Sequence, residues 1–217
     1  MPLTTAAARK DGVWYLTVYV TWSLSVLVAS TLFIEQPLAR SVALEQSVAE
    51  LAAFKPVLVD ESDADLDAFP RARSLGYAGV SSKACKGFYK SIINAARCAN
   101  WNANATATSA TRCFMSGEDL TCQAGLAVQQ DLAIVALLGL GHVERNGHHY
   151  VNGMAGLPDA EQNRFLSAHP DLYHRHAGAV RLRIDAGRLA LRSLAAPGFG
   201  SAADPEWTSM RPIGSVN

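Results

Sequence analysis

The chain has no surplus of either charge: nineteen Lys and Arg balance nineteen Asp and Glu over 217 residues. No global field therefore draws it toward nucleic acid or anionic lipid, and no nucleic-acid partner is expected. Cysteine is scarce, with Cys85, Cys98, Cys113 and Cys122 the only four. None of them forms a C-x-x-C pair, and no paired histidine spacing beside them completes a zinc site. Reduced, structural thiols and a cytoplasmic location follow as expectations. Charged residues are also few, 18% against 49% hydrophobic, a balance that can bury a real core and argues against a disordered, collagen-like or disulfide-knot chain. Length is the last shortage, because 217 residues fall short of the roughly 250 of a complete eight-stranded α/β barrel.

One long stretch lacks charge altogether. Val13 to Ile34 follows Arg9 and Lys10 and is long enough to span a bilayer. Its threonines, serines and β-branched residues suit a buried strand as well as lipid. Three readings of this leader stay open: a signal or transmembrane segment, a buried strand or helix, and non-native sequence from an altered start. Asn104-Ala105-Thr106 matches the glycosylation acceptor pattern, which carries no weight without secretion.

From Ser30 onward short apolar runs alternate with stretches of helical period, the sequence sign of βα repeats and a parallel sheet. Strands are expected at Thr31–Glu35, Pro56–Asp60, Ala78–Lys83, near Arg112–Ser116 and around Gly141–Glu144. Helices are expected at Ser41–Phe54, at about Ala64–Leu75 with Pro70 as a kink, at Gly87–Ala99 and at Cys122–Leu138. A loop rich in Asn, Ala and Thr covers Asn100–Thr111. Further on, Val180–Leu194 alternates apolar and polar residues around Asp185-Ala186-Gly187, the mark of a β-hairpin.

The first three strands end in polar residues that a strand interior would not want: Glu35, Asp60 and Lys83. In a parallel α/β barrel such C-terminal strand ends converge on one face, where catalytic groups gather. Two carboxylates on adjacent strands make a hard oxygen site suited to Mg²⁺, and a lysine on the next strand would have its pKa lowered by that cation. A metal-bound carboxylate substrate has an acidified α-proton, for which a neutral lysine is a credible base. The plainer reading is that acidic strand ends face solvent or cap helices; three in succession weigh against it.

The series FIEQPL, VLVDESDADLD and GVSSKACKG resembles the ends of the fourth, fifth and sixth barrel strands of the mandelate racemase and muconate lactonizing enzyme family, within the enolase superfamily. That family carries Glu-Gln-Pro or Glu-Asp-Pro, then Asp-Glu-Ser, then a lysine followed four residues later by glycine. The resemblance implies that Glu35 and Asp60 are two of three Mg²⁺ ligands, that Glu61 supports or replaces Asp60, and that Lys83, with Gly87 four residues on, is the acid/base lysine. AAPGFGS, Ala195 to Ser201, is similar to the family's C-terminal Pro-Gly-Leu-Gly segment, with Phe199 in place of the leucine. The match runs in order from about Ser30 to Met210 and is specific as an ensemble.

Other polar groups fall where the seventh and eighth strands of such a barrel should end. In FMSGEDLT, Glu118 or Asp119 could reach the active face; the alternative is that the pair caps the following helix. His142 and Glu144 sit two apart, share a face on a strand and could contact substrate. A zinc cluster of His142, His148 and His149 is the weaker alternative, since adjacent histidines rarely converge without a distant third ligand. His169, His174 and His176 lie in a polar stretch and read as surface residues.

The family also has an N-terminal capping domain, a Lys-x-Lys acid/base and a strand-ending Asp as first metal ligand. This sequence has no Lys-x-Lys and no strand-ending Asp before Glu35. The expectation is thus an α/β chain: a partial TIM-type (β/α) barrel, about its fourth to eighth strands, with a C-terminal β-hairpin tail. Residues 1–29 would be a hydrophobic leader, 30–150 the partial barrel, and 151–217 a tail that would contact a capping domain. The expected function is that of a truncated Mg²⁺-dependent enzyme abstracting a proton α to a carboxylate, leading to racemisation, dehydration or cycloisomerisation. The expected partner is a small-molecule carboxylate, a hydroxy or sugar acid, and homo-oligomerisation is allowed. Two competing readings are membrane attachment through residues 13–34 and a non-catalytic α/β binding module.

Overall fold

The computed structural model describes residues 4–10, 13–19, 30–106, 112–118, 120–121, 124–144 and 151–210. The chain divides into two compact units: Met1–Ser82 with Tyr89–Ser116, and Lys83–Phe88 with Gly117–Asn217.

In the first unit, β1 (Thr4–Lys10) and β2 (Val13–Tyr19) pair antiparallel, with Lys10 opposite Val13 and Thr4 opposite Tyr19. The front of the charge-free stretch is therefore strand, and its residues 20–29 lie outside the described ones. In the sequence Asp11-Gly12 stands between the two strands, a dipeptide favoured in two-residue hairpin connections. Among the described residues no helix is long and apolar enough to cross a membrane.

The centre of this unit is a parallel sheet of β3 (Ile34–Glu35), β4 (Val57–Val59), β5 (Gly79–Ser82) and β6 (Phe114–Gly117), ordered as in the chain. The α/β character and the parallel sheet are thus as the sequence led us to expect. β4 and β5 are buried at every position, as strands covered on both faces are. Gly79 is required here: a Cβ on it would stand 2.7 Å from Phe114 Cε2, and that ring also packs 5.4 Å from Phe33. Val57, Val59, Phe69, Ala72, Tyr77, Val80, Cys98 and Cys113 form the core. Burial and the neighbouring Cys113 push the Cys98 thiol up to about 12, so it is an inert core thiol.

The helices differ from expectation in instructive ways. Instead of one helix over Ser41–Phe54 there are turns followed by α1 (Ala49–Ala52). Ser47 interrupts it: its hydroxyl accepts the Ala49 N–H at 3.2 Å and donates to Leu75 O at 3.3 Å, the local competition by which serine ends helices. In α2 (Ala68–Ser74) Pro70 makes no kink, because it occupies the first turn, where its missing N–H has no intrahelical partner anyway. α3 (Phe88–Ala103) runs four residues beyond the expected end.

The second unit is built on α4 (Leu126–Leu138), α5 (Asp159–Ala168) and an antiparallel pair, β7 (Tyr173–His176) and β8 (Ala179–Leu182). Leu132, Val135, Met154, Phe165, Leu172, Tyr173 and Val180 lie in its core. Gly117 bridges Val143 in parallel, so the fifth strand expected near Gly141–Glu144 is present as a single bridge. The expected turn at Asp185-Ala186-Gly187 forms, with Asp185 paired to Arg188. Val180–Leu182, however, pairs upstream, not downstream. Ala177 and Gly178 turn at φ 49° and 78°, the positive pair a tight hairpin needs, and place Tyr173 opposite Leu182 in the core.

His169 corrects the sequence reading outright. It is fully buried: Nδ1 lies 3.1 Å from Ser193 Oγ, and Nε2 accepts the Ala202 N–H at 3.0 Å. Burial holds its pKa below the ordinary histidine value, an effect Asp171 partly opposes. His176 is exposed and His174 half-buried, as surface residues should be. The Pro197-Gly198-Phe199-Gly200 segment packs on α4, where Gln129 Nε2 donates to Gly200 O at 3.0 Å. A Cβ on Gly200 would come within 2.9 Å of Ala133 Cβ, so only glycine lets the backbone approach this closely.

Candidate metal centre

The first unit assembles its acidic groups at the carboxyl ends of β3 and β4. Glu35 ends β3, and Asp60 and Glu61 follow β4 directly. One carboxylate oxygen from each of the three lies within 4.8 Å of the others. Asp60 is buried, 1% exposed, while Glu35 and Glu61 face solvent. A buried anchor with two exposed carboxylates is a hard oxygen donor set, the chemistry that Mg²⁺ or Ca²⁺ prefers over softer metals.

The turn carrying Asp60 and Glu61 is held from three sides. Gln36, directly after Glu35, donates its backbone N–H to Leu58 O at 2.8 Å. Its side-chain Oε1 accepts the N–H groups of both Asp60 and Ser62, each at 2.9 Å. Gln36 does this from φ 26°, a left-handed value uncommon outside glycine, so local strain is accepted to make the clamp. From β5, Ser81 Oγ donates to Asp60 Oδ1. From α3, Lys90 pairs with Asp63 Oδ2 at 2.9 Å and also donates to the Asp63 carbonyl, while the Asp63 N–H closes the turn on Asp60 O at 2.9 Å. Sequence reasoning found the three carboxylates and missed these three supports. Only Gln36 carried a signal, as the middle residue of the Glu-Gln-Pro triplet.

The remaining expected residues belong to the second unit. Lys83 follows the last residue of β5, is buried in extended conformation, and its carbonyl accepts the Lys86 N–H to start a turn of 3₁₀ helix, Ala84–Lys86. Gly87 closes that turn at φ 100°, which is a physical reason for glycine four residues after the lysine. Glu118 is 2% exposed, and a carboxylate oxygen of it lies within 4.8 Å of one of half-buried Glu144. The Gly117 N–H donates to His142 O at 3.0 Å and the Glu144 N–H to Gly117 O at 2.7 Å, so one short ladder sets both acids. His142 is half-buried. Glu118 does not cap the following helix: α4 begins at Leu126 behind Gly125, and it is Asp131 within α4 that accepts the Thr121 N–H, at 2.7 Å. Asp119, His148 and His149 lie outside the described residues.

Compared with models of known protein families, with curated proteins and with solved structures, the chain matches none.

Proposed function

We propose that the chain binds Mg²⁺ through Glu35, Asp60 and Glu61 and belongs to proton-abstraction chemistry of the enolase-superfamily type, its strands corresponding to about the fourth to eighth of a (β/α) barrel. The observation that carries this reading is the convergence of the three carboxylates at the carboxyl ends of adjacent parallel strands. The donor set fits the ion, since all three groups are hard oxygens and the buried one is fixed by Gln36 and Ser81. When bound, the cation would supply the positive charge that acidifies a proton α to a carboxylate.

The chain's own residues take the other roles. Asp60 orients the donor set, because its backbone and one carboxylate oxygen are both hydrogen-bonded. Lys83, as a neutral amine on Nζ, removes the α-proton, and as an ammonium returns one. Glu118, His142 and Glu144 hold the polar groups of a small hydroxy or sugar acid, with racemisation, dehydration or cycloisomerisation as the outcome. The protein works in the cytoplasm on this reading.

With two of the family's three ligand positions and one of its two lysines, this chain by itself should bind Mg²⁺ weakly and turn over little. The test is calorimetric titration with Mg²⁺ and Mn²⁺ of the intact chain and of Asp60→Asn, with Gln36→Leu as a variant of the clamp. Asp60→Asn should weaken binding by roughly ten- to a hundredfold and Gln36→Leu by less. Equal affinity in the intact chain and Asp60→Asn would refute the metal site. Slow entry of solvent deuterium at the α-carbon of a hydroxy acid is expected in the intact chain and should be lost in Lys83→Ala; equal entry in both would refute the role assigned to Lys83 and leave the ion site standing.

A further inference from the structure

α3 presents its faces the wrong way round for a surface helix. Its buried residues are Lys90, Ser91, Asn94 and Cys98. The opposite face carries Tyr89 at 80% exposure, Ile92 at 37% and Ile93 at 36%, and continues through exposed Ala96, Ala99, Asn100 and Ala103. These positions recur at three- and four-residue spacing and form one stripe, roughly 21 Å long at 1.5 Å per residue. No charged residue lies on it, although the solvent face of an ordinary amphipathic helix is where charges collect. The inversion has a local cause. Lys90 is drawn inward by Asp63, and Ser91 by Ser82, whose hydroxyls lie 3.0 Å apart, so the apolar side is rotated outward.

We infer that this stripe is the contact of a homodimer, in which two α3 helices pack antiparallel across a two-fold axis at Ala96. The size pattern along the stripe argues for a second copy over any other partner. Large residues occupy its N-terminal half and small ones its C-terminal half. Antiparallel pairing about Ala96 sets Tyr89 over Ala103 of the second copy, Ile93 over Ala99, Ile92 over Asn100, and Ala96 over itself. Tyr89 and Ile93 thus each meet an alanine, and the small residue at the crossing permits the 8–10 Å approach of packed helices. A two-fold interface must be complementary to itself, and like charges facing across it would repel; this stripe holds none. A single helix face is smaller than the roughly 800 Å² per partner of a standard interface, so the dimer should be a reversible one that depends on concentration.

Sedimentation velocity of the full chain, from about 1 to 200 μM, should show a concentration-dependent monomer–dimer equilibrium. Ala96→Glu and Ala96→Lys should each raise the dissociation constant about tenfold or more, and a one-to-one mixture of the two should recover the dimer, because Ala96 faces itself. Circular dichroism checks that both variants fold. Ala99→Glu faces Ile93 instead, so it should weaken the dimer alone and be rescued by Ile93→Lys in the same chain. A monomer throughout the range overturns the inference, as does a dimer indifferent to these substitutions or a mixture that stays monomeric. A monomer whose stripe is found bound to an unrelated protein overturns it equally.

Discussion

Replacing Lys90 by methionine tests the support of the metal turn and the orientation of α3 together. Lys90 Nζ lies 2.9 Å from Asp63 Oδ2, and the two side chains are 10% and 0% exposed. At an effective dielectric near 20 the Coulomb attraction at that distance is about 6 kcal/mol, most of it offset by the cost of desolvating both charges. Methionine keeps the unbranched stem and removes the ammonium, leaving the Asp63 carboxylate buried without the Lys90 charge. Breaking a buried pair from one side costs roughly 3–5 kcal/mol, against about 1 kcal/mol or less for a surface pair. For a chain of this size that corresponds to roughly 6–20 °C in Tm. Urea unfolding followed by circular dichroism measures it, with amide exchange across α3 and residues 60–63 as a local readout. Adding Asp63→Asn to Lys90→Met should recover roughly 2 kcal/mol or more, because the stranded charge is gone. A loss below about 1 kcal/mol for Lys90→Met alone, with no recovery in the double variant, would mean that the pair behaves as a solvent-exposed one and that the inward polar face of α3 has another origin.

Two further outcomes follow from packing and from titration. Gly79→Ala places a methyl against the Phe114 ring in a buried strand and should cost about 1–3 kcal/mol; Phe114→Leu added to it should relieve part of that loss, and urea midpoints check both. His169 has its folded pKa held below the ordinary value by burial, so its contribution to stability is fully present above pH 6.5 and is lost as pH falls through that value toward the folded pKa. A proton on Nε2 also ends its acceptance of the Ala202 N–H, so the amides of the C-terminal segment, once corrected for the slower intrinsic exchange at low pH, should be less protected at pH 5 than at pH 7.5, and His169→Gln should flatten that difference. No difference between the chain and His169→Gln over this interval would refute the assignment. Asp171 titrates in a separate, lower window. Burial alone would raise its pKa, but hydrogen bonds from Ser193 and the charge of Arg192 hold it below the ordinary carboxylate value, so its stabilisation is lost only on further acidification.

The strands were legible where punctuation surrounds a short apolar run. Pro56 before VLV and Asp60 after it bound β4 to within a residue, and Gly79 and Lys83 do the same for β5. Length was overestimated where a side chain competes with the backbone, as Ser47 does, because a face of valines and leucines looks continuous whether or not a serine hydroxyl intercepts it. The first hairpin was obscured by its composition: the hydropathy of Val13–Tyr19 suits lipid and strand alike, and only the Asp-Gly dipeptide distinguishes them. The burial of His169 had no local signal at all. Its partners, Ser193 and Ala202, are 24 and 33 residues away.

The same contrast divides the candidate site and couples it to the surface of α3. Glu35, Asp60 and Glu61 could be named in advance because strand period and strand ends are local properties of a sequence. What makes them a rigid set is not local. Gln36 reaches Asp60 across 24 residues, Ser81 reaches it across 21, and Lys90 reaches Asp63 across 27. One of those long-range contacts does two things at once. By pulling Lys90 beneath the turn that carries Asp60 and Glu61, the Asp63 pair fixes the acidic groups and also rotates Tyr89, Ile92 and Ile93 outward. A helix chosen only to cover the sheet would place isoleucine inward and lysine outward, and it would lose the turn. The apolar stripe is therefore the other side of the arrangement that orders the carboxylates, and a second copy of the chain covering it would stabilise both.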